Sequence, residues 1–461
     1  MFPSTPRFAL VLLLASLSST IFSAESPWPA GDWRGVLDLG ERQLEIIYHL
    51  EAEGSALGGS MDVPAQGAMG LPLRAVSVDG QRLIIEMPMG GDARFEGSHS
   101  GDTVKGTFAQ AGQSFPMTLA RADEIQPPAR PQEPVGTLPY QVEEVLFENV
   151  DGIQLAGTLT RPDSAGRFPG VVLVAGAGPH DRDGTFMNHR PLLVLADHLT
   201  RAGFAVLRFD ERGVGQSEGE FAPATAKQLA GDISSAVQTL REHEPVDGGQ
   251  VGMIAHSEGG RIGALALDAP GAGDFIVLLG APARPGIEAL RAQAKQSPNP
   301  IVELQAAMAE AVLELDADTD AEPALRRAAQ EMLAGLETKQ RAAFGGREDA
   351  VVDQLVEALG QPQARFSLAF DPRPALRQAD VPVLALYGGK DRQIDAAGAA
   401  RALHEALGER AEVQSLGGLN HFFQIAETGA PSEYAIIEQT MSPEAMGAIV
   451  NWLHSITQEE H

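Results

Sequence analysis

From Tyr140 onward, short apolar segments alternate with stretches of helical periodicity, and this alternation limits the possible folds more than any other feature. The segment 170–174 is almost continuously apolar, as a strand buried on both faces of a parallel sheet requires. The other predicted strands lie at 142–150, 154–160, 204–209, 251–255, 275–280, 381–387 and 412–416. The predicted helices between them include 191–202, 224–243, 396–407 and 443–454. The pattern predicts an α/β fold with a mostly parallel sheet of about eight strands and helices on both faces.

Residues 28–122 show a different pattern, in which short segments with β-type alternation are separated by turn residues such as Asp79-Gly80. The predicted strands are 33–37, 44–48, 73–78, 83–86, 93–96, 104–108 and 115–119. Many short strands at regular spacing are typical of a small barrel or sandwich. Residues 123–139 contain five prolines, which predicts a stiff linker between this all-β domain and the α/β domain, residues 140–461.

Between residues 285 and 366 the strand pattern stops, and Ala-, Leu- and Glu-rich sequence with helical spacing replaces it. Because predicted strands flank this stretch, it is a helical insertion at one end of the sheet. Two interpretations are open: a lid that shapes a substrate pocket, or a layer that only covers the surface. We favour the lid, since ligands of open α/β sheets bind beyond the carboxyl ends of the strands.

The chain is strongly acidic, with 34 Lys and Arg against 62 Asp and Glu and a formal net charge of −28. This balance argues against binding to nucleic acids and against electrostatic docking on anionic lipid. The sequence contains no cysteine, which excludes disulfides, thiolate metal sites and cysteine nucleophiles.

Residues 1–24 have the pattern of an export signal: one basic residue, Arg7, then an apolar run at 8–14 and small residues up to Ala24. The apolar run is too short for a transmembrane helix, which needs ~20 apolar residues. A cut after Ala24 would leave the bulky Phe22 as the third residue before the cleaved bond, where a small residue is expected, so the site of cleavage stays open, and an uncleaved anchor is the alternative. We expect a periplasmic or secreted protein without stable membrane insertion after signal removal.

The most informative stretch for function is Val251–Gly260, in which a predicted buried strand runs into Ser257 and a helix follows at once. A serine on such a strand–turn–helix connection is exposed by a strained turn and needs small residues two positions before and after it. Here those positions hold Ala255, where glycine is usual, and Gly259. This arrangement predicts that Ser257 is a nucleophile.

A nucleophilic serine needs a base and an acid, which in this kind of fold follow it in the order acid, then histidine. His421 follows the predicted strand 412–416 in a loop, whereas His404 and His454 lie in helical patterns and His461 is the last residue. Asp391 follows the strand 381–387, and Asp371 is the rival acid. We expect His421 to act as general base and acid, and Asp391 to orient it.

The oxyanion of an acyl-transfer reaction needs two N–H donors. We expect the backbone N–H of Glu258 and that of Ala177, with Gly178 as the alternative to Ala177. The polar run 180–183 is interpreted as a salt-bridged loop that braces this segment, and 210–217 as a charged turn below the active site. Neither run has a metal or nucleotide pattern, so we predict no metal and no cofactor.

Residues 140–461 resemble the α/β-hydrolase superfamily, and within it exported bacterial esterases and serine-aminopeptidase-like hydrolases. The resemblance rests on five motifs in the right order: Gly176–Asp183, Phe209–Ser217, His256–Gly260, Gly388–Asp391 and Asn420–Phe422. Ala255 is the one departure from the usual motif. The resemblance implies hydrolysis of carboxylic esters, more often with short acyl chains than with fats.

The sequence therefore predicts an exported serine esterase that forms an acyl-enzyme on Ser257 and acts on a small acyl ester. Two other functions are open. One is a peptidase or amidase of the same fold, and the other is a ligand-binding protein without activity on a hydrolase scaffold.

Overall fold

The computed structural model describes residues 28–38, 43–53, 56–63, 68–87, 93–110, 113–122, 129–269, 271, 273–296, 299–315 and 319–457. The predicted signal peptide, residues 1–24, lies outside these described residues. They form two compact units: residues up to 62 with 71–122 make the first, and 129–457 with 63 and 68–70 make the second. Within the described residues, no helix combines the length and the apolar composition needed to cross a bilayer.

The first unit is an antiparallel sheet whose strands follow one another around a barrel. The strands of this sheet are β1 (Gly31–Asp38), β2 (Gln43–Glu53), β3 (Ala56–Val63), β4 (Ala68–Pro72), β5 (Ala75–Asp79), β6 (Arg82–Glu86), β7 (Arg94–Ser100), β8 (Thr103–Gln110) and β9 (Gln113–Arg121), of which only residue 63 of β3 and residues 68–70 of β4 group with the second unit. Their order in the sheet is β4-β3-β2-β1-β9-β8-β7-β6-β5. Strands β3 and β4 were missing from the sequence prediction, because glycines 58, 59 and 70 weaken their β pattern.

The two ends of this sheet meet where β4 passes into β5. The N–H of Leu73 donates to the carbonyl of Gly59 in β3, and the N–H of Arg74 donates to that of Glu86 in β6, both at 2.9 Å. The pairing thus passes directly from β3 to β6 along one continuous segment, as in a closed barrel. The interior is filled by large side chains that are wholly buried, among them Trp33, Tyr48, Met61, Leu83 and Phe95.

The second unit is built on an eight-stranded sheet. Its strands are β10 (Tyr140–Glu148), β11 (Gln154–Pro162), β12 (Phe168–Val174), β13 (Ala205–Phe209), β14 (Val246–His256), β15 (Ile276–Leu279), β16 (Val383–Gly388) and β17 (Ala411–Leu416). The order is β10-β11-β13-β12-β14-β15-β16-β17, parallel from β13 to β17, with β10 and β11 antiparallel. The predicted hairpin therefore leads a parallel sheet.

Helices cover both faces of this sheet. The flanking helices are α1 (Pro191–Arg201), α2 (Ala226–Glu242), α3 (Gly259–Ala266), α10 (Pro372–Ala379), α11 (Ala396–Leu407) and α12 (Pro443–Thr457). Apolar side chains of α2, α3, α10 and α11 form the core on one face. Those of α1 and α12 form the core on the other face.

The remaining helices lie between β15 and β16, in the region predicted to be a helical insertion. They are α4 (Gly286–Gln296), α5 (Pro300–Leu313), α6 (Glu322–Ala334), α7 (Thr338–Arg341), α8 (Glu348–Gly360) and α9 (Pro362–Ala369). They share a core of their own, in which Leu304, Met308 and Leu325 are wholly buried.

The linker predicted at 123–139 needs a correction. Residues 123–128 lie outside the described residues, but 129–139 belong to the second unit. The Arg130 guanidinium donates to the carbonyls of Asn188 and Ile437, each at 3.0 Å, and of Ala435 at 2.8 Å. The proline content indicated a stiff spacer, but the hydrogen bonds of Arg130 fix this segment to the second unit.

Candidate active site

Ser257 lies on a sharp turn between β14 and α3. Its φ of +51° is in the left-handed region, which non-glycine residues rarely adopt and which marks backbone strain. Gly259 lies so close to β12 that an added Cβ would be 2.0 Å from the carbonyl oxygen of Ala175. The turn therefore requires glycine there, whereas Ala255, two residues before the serine, is accommodated and wholly buried.

The structure brings Ser257, His421 and Asp391 together. Nε2 of His421 is 3.0 Å from Oγ of Ser257, and its Nδ1 is 2.7 Å from Oδ2 of Asp391. Each side chain follows a different parallel strand: β14, β17 and β16. Because the carboxyl ends of these strands share one edge of the sheet, residues 134 and 30 positions apart become neighbours.

Asp391 is held by its own loop. Its Oδ1 accepts the backbone N–H groups of Gln393 at 2.7 Å and Ile394 at 3.0 Å, so that Oδ2 is left for His421. The rival Asp371 is at the N-terminus of α10, where it caps the helix through the N–H of Arg373 and forms an ion pair with the side chain of that residue. Asp371 is therefore occupied elsewhere.

The other described histidines downstream of Ser257 lie in helices rather than beside Ser257. His404 lies within α11, and His454 in α12 contacts the carbonyl of Ala202 at 3.0 Å. His461 lies outside the described residues.

The expected oxyanion donors border the same space as Ser257. Ala177 lines a cavity of about 180 Å³ together with Ser257 and His421, which we call the Ser257 cavity. Ala177, Gly178 and Glu258 also line an adjoining cavity of about 250 Å³, the Glu211 cavity. Within the described part of the chain, the backbone N–H groups of Ala177 and Glu258 have no acceptor, so both are available to a ligand.

The polar run 180–183 braces this loop, as predicted. The guanidinium of Arg182 holds Asp210 through bonds of 3.1 and 2.8 Å, and the backbone N–H of Arg182 donates to the same carboxylate at 2.8 Å. Asp183 pairs with Arg190 and Arg208. The two charged runs thus tie the loop after β12 to the loop after β13.

Comparison with known families agrees with this geometry. A family model described as "Serine aminopeptidase, S33" matches residues 190–425, just over half of the chain, a range that contains Ser257, Asp391 and His421. The chain belongs to the serine aminopeptidase S33 family of α/β hydrolases. The predicted membership of the α/β-hydrolase superfamily is thereby confirmed, and so is the α/β-hydrolase fold of the second unit.

Relatives of this S33 chain include esterases. It is 28% identical to Esterase EstD of Thermotoga maritima over 303 residues, which are 64% of this chain and 65% of that relative. Among solved structures it is similar to a hypothetical protein from Pseudomonas aeruginosa, with 16% identity and a TM-score of 0.45, over 70% of this chain and 96% of that one. It is also similar to the Pyrococcus furiosus esterase Pf2001, with 14% identity and a TM-score of 0.41, over 71% and 98%. The family model identifies the chain as an α/β hydrolase, and the chain spans just under two thirds of the length of EstD.

The structure of this S33 member reveals two positioning residues that sequence reasoning missed or left open. Gly280 follows β15 with a φ of +57°, and an added Cβ would lie 3.3 Å from Nδ1 of His421 and 3.5 Å from Oδ2 of Asp391. Nε2 of His256 lies 3.1 Å from the carbonyl oxygen of His421. Burial lowers the pKa of His256 to about 3, so the ring stays neutral and donates to that carbonyl. The sequence marks Gly280 only by its place at the end of a strand.

Asn420 is a third positioning residue, which supports the loop that carries His421. Oδ1 of Asn420 accepts the N–H groups of Phe422 and Gln424, each at 3.0 Å, and closes the loop into a tight turn. Phe422 stacks on Phe186 with ring centroids 5.0 Å apart, and both rings line the Ser257 cavity.

Proposed function

We propose that this protein hydrolyses carboxylic esters with short acyl groups through an acyl-enzyme on Ser257. The observation that carries the proposal is the position of His421, whose two ring nitrogens contact Ser257 and Asp391 at 3.0 and 2.7 Å. These contacts match the roles of nucleophile, general base and orienting acid.

In the proposed reaction, Ser257 Oγ attacks the ester carbonyl while His421 Nε2 accepts its proton. The resulting oxyanion is stabilised by the N–H groups of Glu258 and Ala177. His421 then protonates the leaving alkoxide as the C–O bond breaks, which leaves the acyl group on Ser257. A water molecule then attacks the acyl carbonyl while His421 takes one of its protons, and His421 returns this proton to Ser257 Oγ as the bond between Oγ and the acyl carbon breaks, which releases the acid and the free serine. Asp391 stabilises the imidazolium in both halves.

The preference for short acyl groups is supported by the size of the available space. The two cavities beside the triad measure about 180 and 250 Å³, below the ~300–1,000 Å³ of most ligand pockets. Helix α9 limits the larger one, since Gln363, Ala364 and Ser367 line it. We propose that the helices inserted between β15 and β16 act as a lid in this sense.

We further propose that the protein is exported to the periplasm or secreted, and acts on small esters rather than on nucleic acid or membrane. The signal-like pattern of residues 1–24 supports export, and the net charge of −28 argues against binding to nucleic acid and anionic membrane; the lack of cysteine is compatible with an oxidising compartment. Cell fractionation that found the full-length, unprocessed chain in the cytosol would contradict the export proposal.

The experiment that tests the activity compares Ser257→Ala with Ser235→Ala, a matched change in α2. We expect p-nitrophenyl butyrate to be hydrolysed by the wild type and by Ser235→Ala, and a fluorophosphonate to label both. Ser257→Ala should fold normally, lose turnover and take no label. Full activity of Ser257→Ala would refute the nucleophile assignment, and a rate maximum with long-chain esters would refute the short-acyl preference.

A second candidate is hydrolysis of aminoacyl amides, which the family description suggests. In its favour, Glu211, Asp232 and Glu258 line the Glu211 cavity, and carboxylates attract an amino group. Turnover of aminoacyl p-nitroanilides faster than of acyl esters would favour this candidate.

A further inference from the structure

The two cavities beside Ser257 have different places in the proposed reaction, on which this inference rests. His421 must protonate the leaving group, so the leaving group lies on the side of His421, in the Ser257 cavity that this residue lines. The acyl group then extends the other way, past the oxyanion donors. The Glu211 cavity lies there, because Ala177 and Glu258 line it and His421 does not.

The Glu211 cavity is an apolar space with three carboxyl groups in its wall. The apolar lining includes Val174, Phe209, Phe221, Leu229, Ile233 and Ile262. Two of the carboxyls are neutralised by arginine: Asp232 accepts from Arg212 in two bonds of 2.7 Å, and Glu258 accepts from Arg261 at 2.6 Å. Among the described residues, no Lys, Arg or His side chain lines the cavity itself.

Glu211 is the carboxyl without a cation. Its Oε2 accepts the backbone N–H of His180 at 2.8 Å, and among the described residues its Oε1 has no partner. Burial raises the pKa of Glu211 to about 8, with the nearby charge of Asp232 adding to the shift, so the group is largely protonated at neutral pH. Because Oε2 already accepts a hydrogen bond, the proton belongs on Oε1, which becomes a free O–H donor beside apolar side chains.

We propose that Glu211 is a specificity-determining residue that donates a hydrogen bond to an oxygen atom within the acyl chain. The preferred substrates are therefore esters of oxo- or hydroxy-acids, in which a short hydrocarbon chain carries one neutral oxygen function beyond the ester carbonyl. A plain hydrocarbon chain would leave the donor unpaired in an apolar wall, which is unfavourable.

The test uses matched p-nitrophenyl esters: pentanoate against 4-oxopentanoate, and hexanoate against 5-oxohexanoate. Each kcat/KM is divided by the rate constant of the same ester in alkaline hydrolysis, which removes differences in intrinsic reactivity. We expect the wild type to favour at least one oxo-ester about fivefold, as one added hydrogen bond of ~1 kcal/mol allows. Glu211→Gln keeps an uncharged donor and should keep the preference.

Glu211→Leu should bring both ratios to about one, while Glu220→Leu, an exposed change in the same segment, should leave them unchanged. Wild-type ratios near one would overturn the proposal even if Glu211→Leu failed to fold. A wild-type preference for p-nitrophenyl 6-aminohexanoate over hexanoate that Glu211→Gln abolished would also overturn it, in favour of a cation site. In either case, Ser257-dependent turnover of p-nitrophenyl pentanoate would still support the proposed esterase function.

Discussion

Replacement of Asp391 by Asn tests the triad at its most constrained point. The Asp391 side chain is 0% exposed, and its Oδ1 accepts two backbone N–H groups, from Gln393 and Ile394. The asparagine amide must place its oxygen toward those two donors, since its –NH2 group cannot accept from them. The –NH2 group then faces His421 and donates to Nδ1.

An imidazole that accepts at Nδ1 carries its proton on Nε2, the atom 3.0 Å from Ser257 Oγ. That nitrogen can no longer take the serine proton, and the carboxylate that stabilised the imidazolium is gone. We expect kcat/KM on p-nitrophenyl butyrate to fall about 10⁴-fold, or about 5 kcal/mol in activation free energy.

The matched control is Asp395→Asn, because Asp395 caps α11 through the N–H of Gly398 and asparagine caps equally well. Its kcat/KM should equal that of the wild type, and fluorophosphonate labelling should be slowed only in Asp391→Asn. If folded Asp391→Asn kept kcat/KM within tenfold of the wild type, the tautomer argument would be wrong and another acid would have to orient His421.

Three further outcomes follow from the structure. Gly280→Ala should lower kcat/KM about 100-fold, because the added methyl group would displace His421. Gly271→Ala is the control, since Gly271 also has a positive φ but has open space around it, and its kcat/KM should equal that of the wild type. Equal kcat/KM values for the two variants would contradict the steric reasoning. Asp371→Ala should lower the free energy of unfolding in urea by about 1 kcal/mol through loss of the cap, with kcat/KM unchanged. The folded pKa of Glu211, about 8, exceeds its ordinary value of 4.5, so the folded state holds a proton that the unfolded chain releases and stability falls as pH rises through this window. Glu211→Gln has no such proton to lose, so it removes this loss of stability, which reaches about 1.4 kcal/mol per pH unit. The Tm of Glu211→Gln should therefore rise relative to that of the wild type between pH 5 and pH 8. A difference in Tm that stayed constant over this range would contradict the raised pKa.

The sequence by itself determined the architecture of the second unit and the order of its functional residues. Buried parallel strand segments such as β12 and residues 251–255 of β14 are almost continuously apolar, so their pattern is visible without a structure. The strained turn at Ser257 needs small neighbours, and the strands that precede Asp391 and His421 end just before these residues. Each of these requirements constrains the residue types within one short segment, so it can be recognised from the sequence.

The strands of the first unit were only partly predictable, because β3 is weak in local propensity and becomes a strand through pairing. Gly59 shows the reason: an added Cβ would lie 2.0 Å from the carbonyl of His49 on β2, so glycine is required by the neighbouring strand. The role of Arg130 was likewise not predictable from local sequence, because the carbonyls that accept from its guanidinium are up to 307 residues away in the chain.

Only the tertiary structure decided which acid contacts His421, why Gly280 must lack a side chain, and which carboxyl of the Glu211 cavity is without a cation. Each answer depends on distances between segments that are far apart in the chain. Asp371 and Asp391 are both aspartates close to β16, yet one caps a helix and the other reaches the imidazole. The order along the chain favoured Asp391, which follows β16, but the contact itself depends on the packing of the sheet edge, which places the Asp391 carboxylate and not that of Asp371 against His421.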